Sequence, residues 1–237
     1  MARSLLKNLL QNKADDHPLR IKLLGDSITH GVGGTGFSQN GEPIVEGFAR
    51  NPDGYCWANQ LKQSLEQTGE YTVINNACTG TTIEFVISNF DQLVDAEDDL
   101  ILCAIGTNNR HQLFVDGPKR TEQDMRDSFY RNIEILWKKC VERSIPVIFV
   151  ANIPNSAENE CDGDYYWRIL HMWDIRNLYV QASAEFGFPL IDLYTMWNKY
   201  CEENGVASDA LLADGIHPND AGQDVILTLI LLEIGDS

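Results

Sequence analysis

The sequence predicts an α/β fold in three layers, α/β/α, around a flavodoxin-like five-stranded parallel sheet. Short apolar runs alternate with longer segments of helical periodicity, and this alternation is typical of repeated β-α units. The strands are predicted near residues 20–25, 71–76, 99–105, 146–152 and 188–193. The helices are predicted near residues 55–68, 81–93, 121–143, 164–186 and 219–234. In the flavodoxin-like strand order 2-1-3-4-5, the first strand lies between the second and the third.

Local signals support several of these elements. The helix after residue 120 opens with the segment from Thr121 to Asp124, which resembles a capping box. Apolar residues then recur at helical spacing, and we expect the helix to bury Met125, Phe129, Ile133, Ile135, Leu136 and Cys140. The apolar segment 225–234 is about half as long as a membrane span and is interpreted as a buried final helix.

The chain is predicted to form a single domain over residues 1–237, because no linker rich in Pro, Ser or Gly divides it. Residues 1–19 are an N-terminal extension, and the leucine pairs at 5, 6, 9 and 10 suit a short amphipathic helix. His171 falls inside the helix predicted over 164–186, where a structural role is expected.

The net charge of the chain indicates which classes of partner to expect. The chain has 35 acidic and 18 basic residues, and a formal net charge of −17 repels phosphate backbones and anionic lipid surfaces. We therefore expect neither nucleic acid nor a membrane as a partner. The amino terminus lacks the apolar core and cleavage site of a secretory signal, and the six cysteines form no Cys-x-x-Cys pair. These features favour reduced thiols and a cytoplasmic location, and they leave the oligomeric state open.

A serine and a histidine stand where an α/β sheet presents ligands. Ser27 follows the first strand in the run Gly25-Asp26-Ser27, and His217 closes the segment that begins at Asp214. A serine hydroxyl is a weak nucleophile until a base accepts its proton. A carboxylate three residues before an imidazole can reach one ring nitrogen and leave the other facing the serine. The two segments therefore predict a nucleophile, a base and a residue that orients the base.

Two further segments end at the same edge of the predicted sheet. Gly80 follows the second strand and Asn108 follows the third. Because the carboxyl ends of neighbouring parallel strands open onto one crevice, we expect these residues to converge on Ser27. Backbone amides and an asparagine amide are neutral donors suited to the oxyanion of acyl transfer. Gly80 also permits a close approach of the backbone and is placed at the start of the helix predicted from residue 81.

Four blocks, in order along the chain, resemble the signature blocks of the SGNH, or GDSL, hydrolases. They are Gly25-Asp-Ser-Ile-Thr29, Asn76-Ala-Cys-Thr-Gly80-Thr-Thr82, Gly106-Thr-Asn-Asn109 and Asp214-Gly-Ile-His217-Pro218. The similarity runs from residue 20 to residue 234 and implies the SGNH hydrolase fold with esterase or acylhydrolase activity. Two positions depart from the pattern. Asn109 stands where much of the family has Asp, and Ala77 stands where the family often has Gly.

The resemblance implies a role for each block. Ser27 would be the nucleophile, His217 the general base and then the general acid, and Asp214 the residue that orients the imidazole. The backbone N–H groups of Ser27 and Gly80, with the side-chain amide of Asn108, would form the oxyanion hole. This chemistry needs neither a metal nor an organic cofactor, and none is predicted.

Other residues near these blocks are predicted to contact substrate: Asp26, His30, Asn109 and Arg110. Asp26 is interpreted in addition as an acceptor for amides of the turn. The long irregular segments 31–54 and 153–163 are expected to act as binding loops or lids. The aromatic run 165–167 is interpreted as core, with an apolar wall or a sugar platform as the alternative.

Two other classes of function stay open. The segment 31–36 matches G-x-G-x-x-G, the fingerprint of dinucleotide-binding oxidoreductases, but it neither follows the strand directly nor opens a predicted helix. Its glycines are therefore interpreted as a flexible rim of an ester site. The second alternative is a noncatalytic ligand-binding module on the same fold. Fast covalent labelling of Ser27 by a fluorophosphonate separates an enzyme from such a module.

The predicted substrate is a short-chain carboxylic ester, acetyl first, of a small soluble or carbohydrate-like alcohol. The crevice rim is predicted to be polar and rich in glycine, and the negative charge disfavours an anionic lipid interface. Arg50, Arg110 and the aromatic run 165–167 are predicted to bind the alcohol portion.

Overall fold

A five-stranded parallel sheet forms the centre of the protein. The computed structural model describes residues 2–12, 17–111, 120–160 and 168–234. Within them the strands are β1 (Leu19–Gly25), β2 (Pro43–Val45), β3 (Phe48–Ala49), β4 (Tyr71–Asn75), β5 (Leu100–Ala104), β6 (Val147–Ala151) and β7 (Leu190–Asp192). The large sheet has the order β4-β1-β5-β6-β7, and all of its pairs are parallel. When only these five strands are numbered along the chain, this is the predicted order 2-1-3-4-5.

Helices cover both faces of this sheet. Those of the described residues are α1 (Ala2–Asn12), α2 (Ser27–His30), α3 (Trp57–Glu66), α4 (Ile83–Ser88), α5 (Phe90–Leu93), α6 (Glu122–Glu142), α7 (Ala157–Glu160), α8 (Met172–Phe186), α9 (Leu193–Asn204) and α10 (Asp220–Ile234). The core on one face is built with α1, α3, α9 and α10, and the core on the other with α4, α5, α6 and α8. The three-layer α/β/α fold is therefore confirmed.

The middle of the sheet is apolar on both sides. Every residue of β5 is buried: Leu100 and Leu102 pack into one core, and Ile101 and Cys103 into the other. A parallel strand covered by helices on both faces reads as a continuous apolar run, because successive side chains point to opposite faces. This is why the strands could be predicted from short apolar runs.

Two helices differ from their predicted bounds. The helix expected over 164–186 begins at Met172, because His171 is its N-cap with an extended backbone and donates its N–H to Asp174 at 2.9 Å. His171 is thus a capping residue rather than an interior one. The helix expected over 81–93 is two short helices, α4 and α5, which meet at Asn89, where φ is −106° and ψ is 15°.

Other differences lie in the connections. The predicted loop 31–54 contains the β2–β3 hairpin, and α9 follows β7 directly, with Asp192 as its N-cap. In α6 the capping box of Thr121 and Asp124 is confirmed. Ile135 of that helix is 38 % exposed, so the prediction that it is buried is wrong. The aromatic run 165–167 lies outside the described residues.

The final helix, α10, is buried along one side, as predicted, and packs against α1, α3 and α9. Throughout the described part of the chain, no helix combines the length and the apolar character that a membrane crossing requires. The cysteines at 56, 78, 103, 140 and 201 are buried free thiols.

Candidate active site

Ser27 lies in the sharp turn that joins β1 to α2. Asp26 caps the helix: its Oδ1 accepts a hydrogen bond from the N–H of Ile28 at 3.1 Å. The residue before Asp26 has no room for a side chain: a Cβ on Gly25 would lie 2.4 Å from Thr29 Oγ1 and 2.7 Å from the carbonyl oxygen of Ala104. The turn therefore presents the serine hydroxyl at the carboxyl end of β1, an interior strand of the sheet.

The hydroxyl of Ser27 and the side chains of His217 and Asp214 form one hydrogen-bonded series. His217 Nε2 lies 2.8 Å from Ser27 Oγ, and His217 Nδ1 lies 2.7 Å from Asp214 Oδ2. The tautomer that satisfies both contacts has its proton on Nδ1, where it is donated to the carboxylate, and leaves Nε2 free to accept from the serine. The structure thus brings together the three residues that the sequence predicted.

The Asp214 carboxylate is held by the turn that it begins. Its Oδ1 accepts hydrogen bonds from the N–H groups of Ile216 at 3.0 Å and His217 at 2.8 Å. Partial burial raises the pKa of Asp214, but the hydrogen bonds from the backbone and imidazole of His217 outweigh it and leave the pKa below the ordinary value. The group is therefore a carboxylate wherever the imidazole is neutral, and it can stabilise an imidazolium.

The loop after β6 supports this turn from the side. The N–H of Ser156 donates to the carbonyl oxygen of Gly215 at 2.8 Å, and Asn159 Nδ2 donates to Ser156 Oγ at 2.9 Å. Gly215 has φ of +80°, and a Cβ there would lie 2.4 Å from Asn159 Nδ2. No local pattern in the sequence indicates Ser156 or Asn159, because the turn against which they pack is almost 60 residues away.

The second and third blocks are hydrogen-bonded to the nucleophile turn. The N–H of Cys78 donates to the carbonyl oxygen of Gly25 at 3.0 Å. The N–H of Thr107 donates to Asp26 Oδ2 at 3.3 Å, and Asn152 Nδ2 donates to the same oxygen at 3.2 Å. Asn152 follows β6, so the ends of four strands, β1, β4, β5 and β6, meet at this turn.

Gly80 and Asn108 occupy the turns that follow β4 and β5. Gly80 has φ of +74°, and a Cβ there would meet no atom within 4 Å, so its surroundings are open. Asn108 is partly buried, and its Nδ2 donates one hydrogen bond to the carbonyl oxygen of Thr81 at 2.8 Å. The helix expected from residue 81 begins at Ile83, with Thr82 as N-cap, so Gly80 precedes the helix rather than opening it.

The neighbouring Asn109 has a different environment. It is buried, its Oδ1 accepts from the N–H of Ile83 at 3.0 Å, and its Nδ2 donates to Glu84 at 2.7 Å. Both ends of this amide therefore hold the start of α4. The prediction that Asn109 contacts substrate is not supported by this geometry.

The other three residues predicted to contact substrate are interior as well. Asp26 is fully buried, and this burial raises its pKa against the hydrogen bonds that lower it. His30 is 1 % exposed, with Nδ1 2.8 Å from Thr79 Oγ1. Arg110 is 0 % exposed and donates to the carbonyl oxygens of Thr107 and Asn159. Each of these side chains is buried and hydrogen-bonded to protein groups, and their contact with substrate stays a prediction.

The five-stranded parallel sheet with helices on both faces is the SGNH hydrolase fold, and a serine, a histidine and an aspartate form a hydrogen-bonded series at the carboxyl edge of that sheet. The model of the GDSL-like Lipase/Acylhydrolase family matches residues 23–225. The chain belongs to this family and is a hydrolase that acts on ester bonds. A Ser-His-Asp triad is typical of the family.

Solved structures of similar fold include several hydrolases. LAE5, an alpha/beta hydrolase enzyme from the metagenome of Lake Arreo, Spain, is 18 % identical with a TM-score of 0.70, over 92 % of this chain and 95 % of that one. Axe2, an acetylxylan esterase from Geobacillus stearothermophilus, is 17 % identical with a TM-score of 0.67, over 93 % and 96 %. The lipase/acylhydrolase from Enterococcus faecalis is 22 % identical with a TM-score of 0.64, over 91 % and 94 %. A sequence search of curated proteins finds no match.

Proposed function

We propose that the chain is a serine esterase that removes short acyl groups, acetyl first, from a small soluble or carbohydrate-like alcohol through an acyl-enzyme. The observation that carries the proposal is the hydrogen-bonded series from Ser27 Oγ through His217 to Asp214 Oδ2, with bonds of 2.8 and 2.7 Å. A base within hydrogen-bond reach of the nucleophile, held by a third group, is the arrangement that activates a hydroxyl.

In the proposed acylation step, Ser27 Oγ attacks the carbonyl carbon of the ester while its proton passes to His217 Nε2. The carbonyl oxygen becomes an oxyanion, for which the proposed donors are the N–H groups of Ser27 and Gly80 and the amide of Asn108. When this tetrahedral intermediate collapses, the bond to the alcohol oxygen breaks, and His217 donates its proton to that oxygen. The products are the free alcohol and an acyl-enzyme.

Deacylation repeats the sequence with water. His217 Nε2 accepts a proton from a water molecule, whose oxygen attacks the acyl carbon, and the imidazolium then returns a proton to Ser27 Oγ. Asp214 keeps Nδ1 protonated and stabilises the imidazolium in both steps, and its lowered pKa keeps it ionised for this task. The net reaction is hydrolysis of one ester to one acid and one alcohol.

The charge and the relatives support the substrate class. A net charge of −17 disfavours an anionic lipid interface, and Axe2, which shares the fold, is an acetylxylan esterase. Two of the residues predicted to bind the alcohol have other contacts: Arg110 is fully buried, and Arg50 donates to Asn76 Oδ1 and pairs with Glu42. The proposed preference for a soluble alcohol therefore rests on the net charge of the protein and on its fold, and not on binding of the alcohol by Arg50 or Arg110.

Acyl-chain length and alcohol are tested together. We expect kcat/KM on aryl esters of two to twelve carbons to be highest at two carbons, and acetylated sugars to release acetate. Ser27→Ala is the matched control and should abolish both activities and the labelling by a fluorophosphonate. A maximum at eight carbons or more contradicts the short-acyl proposal. If the enzyme releases no acetate from acetylated sugars, the proposal of a carbohydrate-like alcohol is wrong. If the wild type hydrolyses no ester and the fluorophosphonate does not label Ser27, the proposal of a serine esterase is wrong.

A further inference from the structure

The glycine-rich segment, residues 31–36, joins the backbone of the nucleophile to that of the base. At its start, the N–H groups of Gly31 and Val32 both donate to the carbonyl oxygen of Ser27 at 3.0 Å. Gly31 has φ of +103°, and a Cβ there would lie 2.7 Å from Cys56 Cβ, so the segment leaves α2 tightly packed. The segment opens no helix, as a dinucleotide-binding turn would, and its first residues are hydrogen-bonded to Ser27.

The middle of the segment packs directly on the base. Gly33 has φ of +93°, and a Cβ there would lie 2.9 Å from His217 Cβ and 2.5 Å from the carbonyl oxygen of Pro218. The main chain therefore approaches His217 with no side chain between them. Gly34 is held on the other side, since a Cβ there would lie 1.9 Å from the carbonyl oxygen of Tyr55.

The end of the segment is bonded to the helix that follows His217. The N–H of Thr35 donates to Asp220 Oδ1 at 2.7 Å, and Thr35 Oγ1 donates to Asp220 Oδ2 at 2.7 Å. The cap of α10 is supplied elsewhere, because Asn219 Oδ1 accepts from the N–H of Gly222 at 3.1 Å. The carboxylate of Asp220 thus holds Thr35 with both of its oxygens.

We propose that Thr35 and Asp220 are positioning residues, which hold the glycine-rich segment against His217 and so set the distance from His217 Nε2 to Ser27 Oγ. The inference rests on the proposed function for its catalytic consequence. Ser27 and His217 are 190 residues apart, and the segment is a short physical path between their backbones. Small displacements at such a distance matter, because a misplacement of about 1 Å can cost about 10²-fold in rate.

The test compares the loss of the Thr35 hydroxyl, which donates to Asp220 of α10, with the loss of another hydroxyl that donates to the same helix. Thr35→Val removes the hydroxyl and keeps the side-chain shape, and Asp220→Asn weakens both bonds. Thr228→Val is the matched control, because it removes the same group from α10: Thr228 Oγ1 donates to the carbonyl oxygen of Asp224 at 2.9 Å. On an aryl acetate, we expect Thr35→Val and Asp220→Asn to lower kcat about tenfold, with KM within about twofold. Thr35→Ser should keep most of the wild-type rate, and Thr228→Val should match the wild type.

A second measurement needs no substrate. The proton between His217 Nδ1 and Asp214 Oδ2 is followed as a low-field ¹H NMR resonance, identified by its loss in His217→Ala. We expect Thr35→Val to broaden this resonance through faster exchange and Thr228→Val to leave it unchanged. An unbroadened resonance in Thr35→Val, or a kcat of Thr35→Val equal to that of Thr228→Val, overturns the positioning role. An ester-inert wild type would refute the proposed function, and the resonance would still decide the role of Thr35.

Discussion

Replacing the two adjacent asparagines by alanine is expected to separate catalysis from stability. Asn108 Nδ2 donates one of its two protons to the carbonyl oxygen of Thr81 at 2.8 Å, which leaves the second for a substrate oxyanion. Asn109 uses both ends within the protein, as acceptor from the N–H of Ile83 and as donor to Glu84. Asn108→Ala should therefore slow turnover, whereas Asn109→Ala should destabilise the fold.

The magnitudes follow from these contacts. Loss of one oxyanion donor costs ~10²–10³ in kcat, about 2.7–4 kcal/mol, with little change in KM because the charge exists only in the transition state. Asn109→Ala leaves the buried N–H of Ile83 without its acceptor, at a cost of about 1–3 kcal/mol. For a domain of this size, each kcal/mol lowers Tm by roughly 2–4 °C. We therefore expect Tm to fall by about 2–12 °C in Asn109→Ala.

The assay measures kcat and KM on an aryl acetate, and Tm by calorimetry, for the wild type and both variants. Asn108→Ala should show the large loss of kcat with a small change in Tm, and Asn109→Ala the reverse. A greater loss of kcat in Asn109→Ala would mean that the wrong amide has been assigned to the oxyanion. A change in KM alone for Asn108→Ala would assign it to ground-state binding.

The remaining predictions concern the proton relay. Ser27→Ala and His217→Ala should each abolish turnover of an aryl acetate, and the double variant should be hardly worse than either, since the residues act as a unit; additive losses would contradict the relay. Asp214→Asn should lower kcat by up to about 10⁴-fold by disfavouring the required tautomer, and a wild-type rate would refute its role. Activity should fall as the pH is lowered, because an imidazolium cannot accept the serine proton. Burial lowers the pKa of His30, and burial together with nearby arginines lowers that of His111 to about 3. Neither group should therefore add a proton near the ordinary pKa of an imidazole, and the acid limb of kcat/KM should begin with a slope of one; an initial slope of two would contradict this.

Much of the fold could be predicted because its signals are local. Strand β5 is apolar at every position, and the capping box of α6 lies within four consecutive residues. Helix α9 was missed because Asp192, the last residue of β7, also caps the helix by accepting from the N–H of Thr195 at 3.1 Å. With no loop between strand and helix, the local pattern does not show where one ends and the other begins.

The sequence by itself predicted the strand order and the hydrogen-bonded series of Ser27, His217 and Asp214. In a parallel sheet the strand ends converge on one edge, and Ser27 stands directly after β1 while Asp214 and His217 share a short turn, so linear position sufficed to predict this series. Only the tertiary structure decided which polar residues of that edge face inward. Buried Asp26 accepts a hydrogen bond from the N–H of Thr107, which is 81 residues away. Gly33 packs against His217, near the other end of the chain. Such contacts depend on how distant segments pack, and no local pattern records them.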